Sequence, residues 1–379
     1  MADYARLAPG DPAPWFHQRG LTNPRYAFDT TGGRYLVLCF FASATDAGTD
    51  MRLRAMLART DLFDDDRASF FGVSADPRDG TEGRLRERYP GYRYFLDDDL
   101  LISRLYGACP TDATGIDAGY RRQWLVLDPS MRLVASIAFR DDGGDVGELI
   151  TMLERAPPAG QHAGREVPAP ILLLPRVFEP ELCRHLIELY ESRGGVPSGF
   201  MREENGLTVS AMDASHKLRR DMDIEDERLI GALKARVSRR VVPEIRKAFQ
   251  FTATRMERYI VACYSTEHGG HFRPHRDNTT HGTAHRRFAL SVNLNEDYDG
   301  CEIGFPEYGP RTYRTETGGA VVFSCSILHM VHPIRRGRRY VFLPFLYDDA
   351  AAVQRERNNP YLAEGIGAYR SDHTGNDGG

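Results

Sequence analysis

The sequence lacks long apolar runs. No stretch of about 18 or more apolar residues occurs in its 379 residues, so we expect no transmembrane helix. Residues 1–6 also lack the apolar core of a secretory signal. These two absences predict a cytoplasmic protein that has no membrane partner.

An excess of basic residues is missing as well. The formal net charge is −4 and the sequence pI is about 6.3, so no nucleic-acid partner is expected. The hydrophobic fraction of 41% is ordinary for a globular protein and provides enough apolar residues for a sizeable core. The length is comfortable for two domains.

Paired cysteines are absent too. No Cys-x-x-Cys motif occurs, and several of the cysteines lie within apolar runs. Free cysteine commonly behaves as a small buried hydrophobe, and a cytosolic thiol is normally reduced. We therefore interpret most of them as structural. The six cysteines are Cys39, Cys109, Cys183, Cys263, Cys301 and Cys325.

The first part of the chain, residues 1–155, alternates short apolar runs with segments of helix-forming residues. This alternation predicts an α/β layer fold. The predicted strands cover residues 34–41, 69–74, 94–97, 123–128 and 133–139. The predicted helices cover a stretch that ends near residue 59 and residues 81–89, 100–106 and 145–155.

Two motifs in this part resemble the peroxiredoxin type of thioredoxin-fold redoxin. They are Gly-Asp-Pro-Ala-Pro at 10–14 and Gly-Val-Ser-Ala-Asp at 72–76, and Arg122 lies ahead of a strand where the family has its arginine. The resemblance implies a thioredoxin-like fold for the first 155 residues. It also implies a Thr-x-x-Cys motif, but here Thr45 is followed at the cysteine position by Gly48, which has no sulfur. We expect a domain that is degenerate for thiol peroxidase chemistry.

An alternative function is a thiol peroxidase that uses a non-standard cysteine. Cys39 lies inside an apolar strand, which would raise its pKa, whereas Cys109 could be exposed but has no evident base beside it. A second alternative is a non-catalytic scaffold protein.

Residues 156–167 are rich in proline, glycine and small residues, which is typical of a linker. After them the pattern predicts helices over 179–192 and 226–249, the second interrupted near Pro243. A series of short strands follows, separated by turn residues. This order predicts an α+β domain over 168–350, a double-stranded β-helix (jelly roll) braced by helices. Residues 351–379 are predicted to form a polar C-terminal tail.

The strongest chemical signal starts at His275 and Asp277. Residues i and i+2 of a strand point to the same side, so both side chains can face one point, and a later histidine can complete a set of three ligands. Two histidines and one carboxylate form the facial triad of non-haem Fe(II) oxygenases, which leaves coordination positions open. On its own a His-x-Asp pair is a weak signal, and a surface ion pair is the simpler alternative.

The downstream segment strengthens this signal. His329, Pro333, Gly337 and Arg339 stand at spacings that resemble 2-oxoglutarate-dependent oxygenases of the prolyl-4-hydroxylase-like family. The resemblance covers about residues 168–348. It implies His275, Asp277 and His329 as iron ligands and catalytic residues, and Arg339 as the residue that holds the far carboxylate of 2-oxoglutarate. Tyr264 is implied as a second contact to that carboxylate. Arginine suits this role because its planar guanidinium binds a carboxylate bidentately and stays charged.

The resemblance further implies Fe(II), 2-oxoglutarate and O2, with ascorbate as a candidate reductant. The implied reaction hydroxylates an unactivated C–H of an amino-acid-like, peptidyl (prolyl) or small-metabolite substrate and releases succinate and CO2. Because Asp277 is present, a halogenase is disfavoured, since that site needs a small residue at this position. A homodimer remains open.

Some assignments keep alternatives at this stage. His332 competes with His329, and Arg338 could replace Arg339 if the strand parity differs. We expect His281 and His285 to be solvated loop residues. Arginines near the two metal segments could attract an anionic substrate or could form a solvated rim. They are Arg273, Arg276, Arg286, Arg287, Arg335 and Arg336.

Overall fold

The computed structural model describes residues 2–116 and 119–371. The chain divides into two units. The first comprises Met1–Pro168 together with Phe305–Arg311, and the second comprises Ala169–Gly304 together with Thr312–Gly379. The first unit includes the predicted linker, which contains a 3-10 turn at Ala159–Gln161. Among the described residues no helix is both long and apolar enough to cross a membrane.

The first unit is an α/β layer built on one mixed sheet. Its strands are β1 (His17–Gln18), β2 (Tyr26–Ala27), β3 (Tyr35–Ala42), β4 (Ala68–Ser74), β5 (Tyr92–Leu96), β6 (Gln123–Leu127) and β7 (Leu133–Ala138). Its helices are α1 (Thr49–Leu57), α2 (Pro77–Thr81), α3 (Leu101–Leu105) and α4 (Gly144–Arg155). The predicted α/β class of this unit is confirmed.

The sheet order is β5-β4-β3-β6-β7. The β3–β4 and β4–β5 pairs are parallel, whereas the β3–β6 and β6–β7 pairs are antiparallel. All eight residues of the central strand β3 are buried. A strand covered on both faces needs a continuous apolar run, and this is the feature that made β3 predictable from sequence.

The helix predicted over 81–89 is wrong. The structure has only α2 there, which begins after Asp76, whose carboxylate accepts a hydrogen bond from the Arg78 amide at 3.0 Å. Gly83 follows with φ +65°, in the left-handed region that ends a helix. The polar composition of 81–89 matched a helix surface, but glycine so close to the start prevents a longer helix.

The second unit carries four helices and the remaining described strands. The helices are α5 (Pro180–Arg193), α6 (Glu227–Arg240), α7 (Val242–Phe249) and α8 (Asp349–Arg357). The strands up to the first metal segment are β8 (Leu172–Leu174), β9 (Val196–Pro197), β10 (Phe200–Glu204), β11 (Leu207–Ala211), β12 (Lys217–Leu218), β13 (Arg220–Asp223), β14 (Arg255–Glu257), β15 (Ile260–Ser265) and β16 (His271–His275). The later strands are β17 (Phe288–Asn293), β18 (Asp299–Gly300), β19 (Ile303–Gly304), β20 (Thr312–Tyr313), β21 (Ala320–Ser324), β22 (His329–Val331), β23 (Ile334–Arg336), β24 (Arg338–Phe342) and β25 (Phe345–Tyr347).

Two larger sheets organise these strands. One has nine strands, with the order β14-β25-β17-β24-β15-β13-β9 and with β21 and β8 joined through β17. The other has five strands in the order β12-β16-β22-β19-β20. The strand β16 of the smaller sheet pairs with β22, and β15 of the larger sheet pairs with β24. Each of these two pairs carries residues of the predicted site.

Helices α5, α6 and α7 supply one side of the core of this unit. Leu186 of α5, Leu233 and Val237 of α6 and Ile245 of α7 are buried in one cluster with apolar residues of the larger sheet. The predicted interruption near Pro243 is confirmed, because α6 ends at Arg240 and α7 begins at Val242. Proline fits in the first turn of α7, where its missing N–H has no intrahelical partner in any case.

Two elements of this unit were not predicted. Strands β10 and β11 form a hairpin in the region interpreted as loop, and its tip is Asn205-Gly206 with φ values of +50° and +78°. Asn-Gly is the preferred tip of a two-residue hairpin, so a usable signal was present. The predicted polar tail also begins inside α8, whose Ala351 and Ala352 are buried.

The buried face of α5 gives a stability prediction. Leu186 is fully buried, so Leu186→Ala should lower the free energy of unfolding of the second unit by about 2–5 kcal/mol. Glu188→Ala on the exposed face of the same helix is the matched control and should have little effect. Denaturant titration followed by circular dichroism measures both, and equal stability of the two variants would contradict this packing.

Candidate metal centre

Three predicted ligands come together at the pairing of β16 with β22. His275 and His329 are direct cross-strand partners, and their ring centroids lie 4.2 Å apart. Asp277 lies beyond the end of β16, where its backbone N–H donates to the Cys325 carbonyl at 2.9 Å. The expected extended run from His275 to Asp277 is therefore wrong in detail, although both side chains still reach one point.

The ligand atoms of the three side chains lie within 4.8 Å of one another. The His275 Nε2 is 3.6 Å from one carboxylate oxygen of Asp277, and the His329 Nε2 is 3.3 Å from the other. Elsewhere in residues 2–116 and 119–371, no other three His, Cys, Asp or Glu side chains converge in this way. Two imidazole nitrogens and a carboxylate form a donor set that suits a divalent transition metal.

Backbone carbonyls orient both rings. The Nδ1 of His275 lies 2.7 Å from the Arg273 carbonyl oxygen, and the Nδ1 of His329 lies 3.0 Å from the Ile327 carbonyl oxygen. A carbonyl oxygen can only accept, so each Nδ1 carries the proton and each Nε2 presents its lone pair toward Asp277. Such a hydrogen bond on the remote nitrogen is the usual support of a metal-binding histidine.

Burial keeps the imidazole of His275 neutral. The pKa of His275 is lowered well below its usual value, first by burial and then by the neighbouring His329. Aromatic rings cover the same side chains: Phe272 stacks on His275 at 3.5 Å between centroids, and Phe323 lies 4.6 Å from His329. Neutral imidazole is the form that binds a metal, so the three side chains fit the predicted ion.

Arg339 faces the same site. It is the direct cross-strand partner of Tyr264 and is only 5% exposed. Its guanidinium donates to the Cys301 carbonyl at 3.1 Å and to the Ser291 hydroxyl at 3.1 Å. Arg338 points the other way, as successive strand residues do, and pairs with Glu267 at 2.6 Å on the outer surface.

Tyr264 lies between two guanidinium groups. Its ring centroid is 5.9 Å from the Cζ of Arg339 and 5.8 Å from that of Arg219. The Tyr264 hydroxyl accepts a hydrogen bond from Arg219 at 3.5 Å. Arg219 comes from the strand-like run at 217–221, and no local pattern in the sequence marked it as a site residue.

A cavity of about 430 Å³ unites these groups. Its lining includes His275, Asp277, His329, Arg339 and Tyr264. This volume lies within the usual range for small-molecule sites. The structure thus gathers in one cavity all five residues that the sequence singled out.

Lys217 also lines the cavity and was not predicted as a site residue. Burial and then the charge of Arg219 lower the pKa of its ammonium group to about 5. The Lys217 Nζ donates to the Ser198 hydroxyl at 2.7 Å. At neutral pH this side chain is therefore an uncharged hydrogen-bonding group in the cavity wall.

The other histidines near the motif lie outside the triad. His332 is half-buried near Glu302, and the His271 Nδ1 lies 2.7 Å from the Gly269 carbonyl oxygen. His281 is partly exposed and stacks on Tyr361, at 4.2 Å between centroids. The expected solvation of His285 is wrong: it is 1% exposed and its Nε2 lies 3.1 Å from the Glu257 carboxylate.

Among residues 2–116 and 119–168 of the first unit, no comparable thiol site is present. Gly48 immediately precedes α1 with φ +78°, and a Cβ built there would lie 2.6 Å from the Arg52 guanidinium. Cysteine could not occupy this position unless that neighbour moved. Arg122, the arginine of the redoxin motif, is paired with Asp46 at 2.7 Å.

All six cysteines are buried. Burial raises the pKa of Cys39 well above its usual value and raises that of Cys109 to about 11. The expectation that Cys109 could be exposed is therefore wrong. A thiol that stays protonated near neutral pH is a poor nucleophile.

The chain is similar to known proteins in two separate stretches. Residues 259–347 match the family model of the 2OG-Fe(II) oxygenase superfamily, and residues 9–136 match that of the AhpC/TSA family. One curated relative, a PKHD-type hydroxylase of Synechococcus sp. (strain JA-2-3B'a(2-13)), is 31% identical over 88 residues. That alignment covers 21% of this chain, and the chain spans 38% of the length of the relative.

Two solved structures resemble the chain at low identity. A Pseudomonas putida prolyl-4-hydroxylase is 14% identical with a TM-score of 0.35, and the match covers 48% of this chain and 93% of that chain. The peroxidoxin BcpB of Mycobacterium tuberculosis is 17% identical with a TM-score of 0.34, and the match covers 39% of this chain and 97% of that chain. The two family-model matches show that the chain carries an AhpC/TSA domain in its N-terminal part and a 2OG-Fe(II) oxygenase domain in its C-terminal part.

Proposed function

We propose that this protein is an Fe(II)- and 2-oxoglutarate-dependent dioxygenase. It would hydroxylate an unactivated C–H of an amino-acid-like, peptidyl (prolyl) or small-metabolite substrate and release succinate and CO2. The observation that carries the proposal is the convergence of His275, Asp277 and His329 beside the buried Arg339 in one cavity.

His275, Asp277 and His329 would hold the iron. Both histidines keep their protons on Nδ1, against the carbonyls of Arg273 and Ile327, and so offer Nε2 to the ion. The carboxylate of Asp277 supplies the third donor and compensates part of the ion's charge. The rings of Phe272 and Phe323 restrict the motion of the imidazoles and exclude water from one side of them.

Arg339 and Tyr264 would anchor 2-oxoglutarate. The guanidinium of Arg339 is fixed by Ser291, Asn293 and the Cys301 carbonyl, so its orientation is set before the cosubstrate arrives. When bound, Fe(II) and 2-oxoglutarate supply the oxidising chemistry that activates O2 for attack on a C–H bond. The protein positions the substrate bond and keeps the reaction away from water.

We also propose that the second unit is a double-stranded β-helix. The nine-stranded and five-stranded sheets support a double-stranded β-helix in which β16 and β22 of one sheet oppose β15 and β24 of the other. Residues 168–350 would then be the core of the catalytic domain, and the domain would continue through α8 to Arg357 rather than give way to a loose tail at residue 351.

The iron site is tested by Asp277→Ala. Loss of an outer hydrogen-bond partner typically weakens metal binding 10- to 100-fold, so loss of a ligand should exceed about 100-fold. The variant should lose the weak visible charge-transfer band formed by anaerobic Fe(II) and 2-oxoglutarate, and its succinate formation should stop. Asp299→Ala, which removes an exposed carboxylate paired with Arg335, is the control. Undiminished succinate formation by Asp277→Ala would refute the assignment.

Substitutions of two neighbouring arginines test the proposed anchor of 2-oxoglutarate. Arg339→Gln removes a charged donor from the cavity and should raise the KM for 2-oxoglutarate by at least about tenfold, because hydrogen bonds to charged groups contribute about 1.5–3 kcal/mol. Arg338→Gln removes an outward-facing charge and should leave the KM unchanged. The opposite pattern would assign the anchor to Arg338.

Thiol chemistry in the first unit gives a separate prediction. With a pKa of about 11, Cys109 is a thiolate in about one molecule in 10,000 at pH 7, so alkylation should be very slow and should accelerate as the pH rises toward 11. Peroxide consumption with dithiothreitol should equal that of a Cys109→Ser variant. Saturable consumption that disappears in this variant would restore the peroxidase alternative.

A further inference from the structure

The cavity wall carries an unusual set of charges besides Arg339. Four guanidinium groups line the cavity there, and their ion pairs involve two carboxylates, Asp221 and Glu257. The four are Arg219, Arg258, Arg286 and Arg355. The set therefore holds more positive than negative charge, before any ligand is considered.

Asp221 is already compensated by Arg219. The two side chains form a bidentate pair, with both N···O distances 2.7 Å. Arg258 approaches the same carboxylate from the other side, with one nitrogen 3.1 Å from Oδ2. Its pKa is lowered to about 10, first by burial and then by the charge of Arg219. The second cation on this carboxylate is thus in surplus.

Glu257 repeats the arrangement. One carboxylate oxygen lies 2.7 Å from Arg286, and the other lies 2.7 Å from Arg355. Glu257 is 7% exposed, and although burial raises the pKa of its carboxyl group, the charge of Arg286 and a hydrogen bond with His285 lower it by more, so Glu257 stays ionised. The carboxylate of Glu257, like that of Asp221, is therefore shared by two guanidinium groups.

Arg258 and Arg286, one from each of these two pairs of guanidinium groups, face the same aromatic ring. The Cζ of Arg286 lies 4.0 Å from the ring centroid of Phe345, and the Cζ of Arg258 lies 5.5 Å from it. Arg286 is also beside the metal ligands, because one of its nitrogens is 3.5 Å from the Asp277 carbonyl oxygen. The pair of guanidinium groups therefore forms a cationic edge of the cavity next to the ligand-bearing segment.

Arg258 has a left-handed backbone conformation. This residue has φ +62°, in the left-handed region that side chains with a Cβ adopt only at a cost. Its position between β14 and β15 keeps 30% of the side chain exposed while the residue lines the cavity. Partly buried charge without full compensation has an energetic cost, which a bound anion would offset.

We infer that Arg258 and Arg286 form the binding site for an acidic head group of the substrate, which is therefore a small anionic molecule with a carboxylate or phosphate. This inference rests on the proposed oxygenase function and deepens it. The neutral interior of a peptide chain would add no negative charge to the four guanidinium groups, which share only the carboxylates of Asp221 and Glu257. A cavity of about 430 Å³ that must also hold 2-oxoglutarate fits a small molecule.

The test compares acids with their neutral amides. The full-length protein is loaded with Zn(II), which is redox-inactive, and saturated with 2-oxoglutarate. Butanoate, pentanoate and hexanoate, their primary amides and the alkyl phosphates of equal length are titrated by calorimetry. The better of the acid or phosphate series should bind at least about tenfold more tightly than the amides, and the preference should fall as salt is added. Which series binds better identifies the head group.

Variants locate the effect. In Arg258→Gln, the ratio of anion affinity to amide affinity should fall to about one. Arg258→Lys should restore part of this ratio because lysine keeps the positive charge. Arg255→Gln is the matched control: it lies three residues earlier, pairs with Asp349 at 2.7 Å and is not part of the cavity lining. It should leave the preference unchanged.

Several outcomes would overturn the inference. Equal binding of anions and amides by the wild-type protein would do so without any variant, which covers the case in which Arg258→Gln fails to fold. So would a preference that survives Arg258→Gln, or loss of the Fe(II)–2-oxoglutarate band in that variant, which would mean that Arg258 holds the cosubstrate. If the wild-type protein shows no such band but still prefers anions, the oxygenase proposal fails and the anion site stands.

Discussion

Two hydrogen bonds from histidine side chains to backbone carbonyls determine what the centre of the second unit can do. The carbonyls of Arg273 and Ile327 each hold the Nδ1 proton of the histidine two residues later. If either ring were reversed, its unprotonated nitrogen would no longer face Asp277, and the three donor atoms could not converge. The pairing of β16 with β22 places His275 and His329 opposite each other, and these hydrogen bonds then set the direction in which the rings point.

A second constraint is electrostatic. Arg219, Arg258, Arg286 and Arg339 all line the cavity. Desolvation makes a charged side chain costly there, yet these four side chains bring positive charge to the cavity wall. Asp221 and Glu257 offset part of this charge from positions next to the cavity. The ion pairs hold these guanidinium groups in fixed orientations before an anion binds. Such preorganised charge is expected in a site that orients charged ligands.

The first unit combines the layered sheet of an α/β domain with a glycine at the position where the resemblance implies a cysteine. Its sheet order and its buried central strand β3 are intact, and the helix α1 still follows that strand. At the start of that helix a glycine stands where the resemblance implies a cysteine, and Arg52 occupies the adjacent space. Asp46 pairs with Arg122 and so supplies a negative charge next to the arginine that the motif retains.

Local patterns accounted for most of the elements of the fold. The buried strands and the long amphipathic helices were predictable because their apolar residues repeat at strand or helix spacing. The hairpin β10–β11 was missed because exposed strands show no such repeat, although its Asn205-Gly206 tip was a usable sign. The polar segment after residue 350 was missed as a helix for the same reason, since only Ala351 and Ala352 mark its buried side.

The sequence by itself was enough to predict His275, Asp277 and His329 as metal ligands, with His332 as an alternative to His329, because the residue types and spacings resemble a known metal-binding motif. It did not decide whether Arg338 or Arg339 faces the cavity, since this depends on which face of β24 is buried. In the structure Arg339 lies opposite Tyr264 and is buried. The cationic edge was decided by tertiary structure alone. Arg258 and Arg286 are 28 residues apart in sequence and meet only at Phe345, because β14 and β17 both pair with β25.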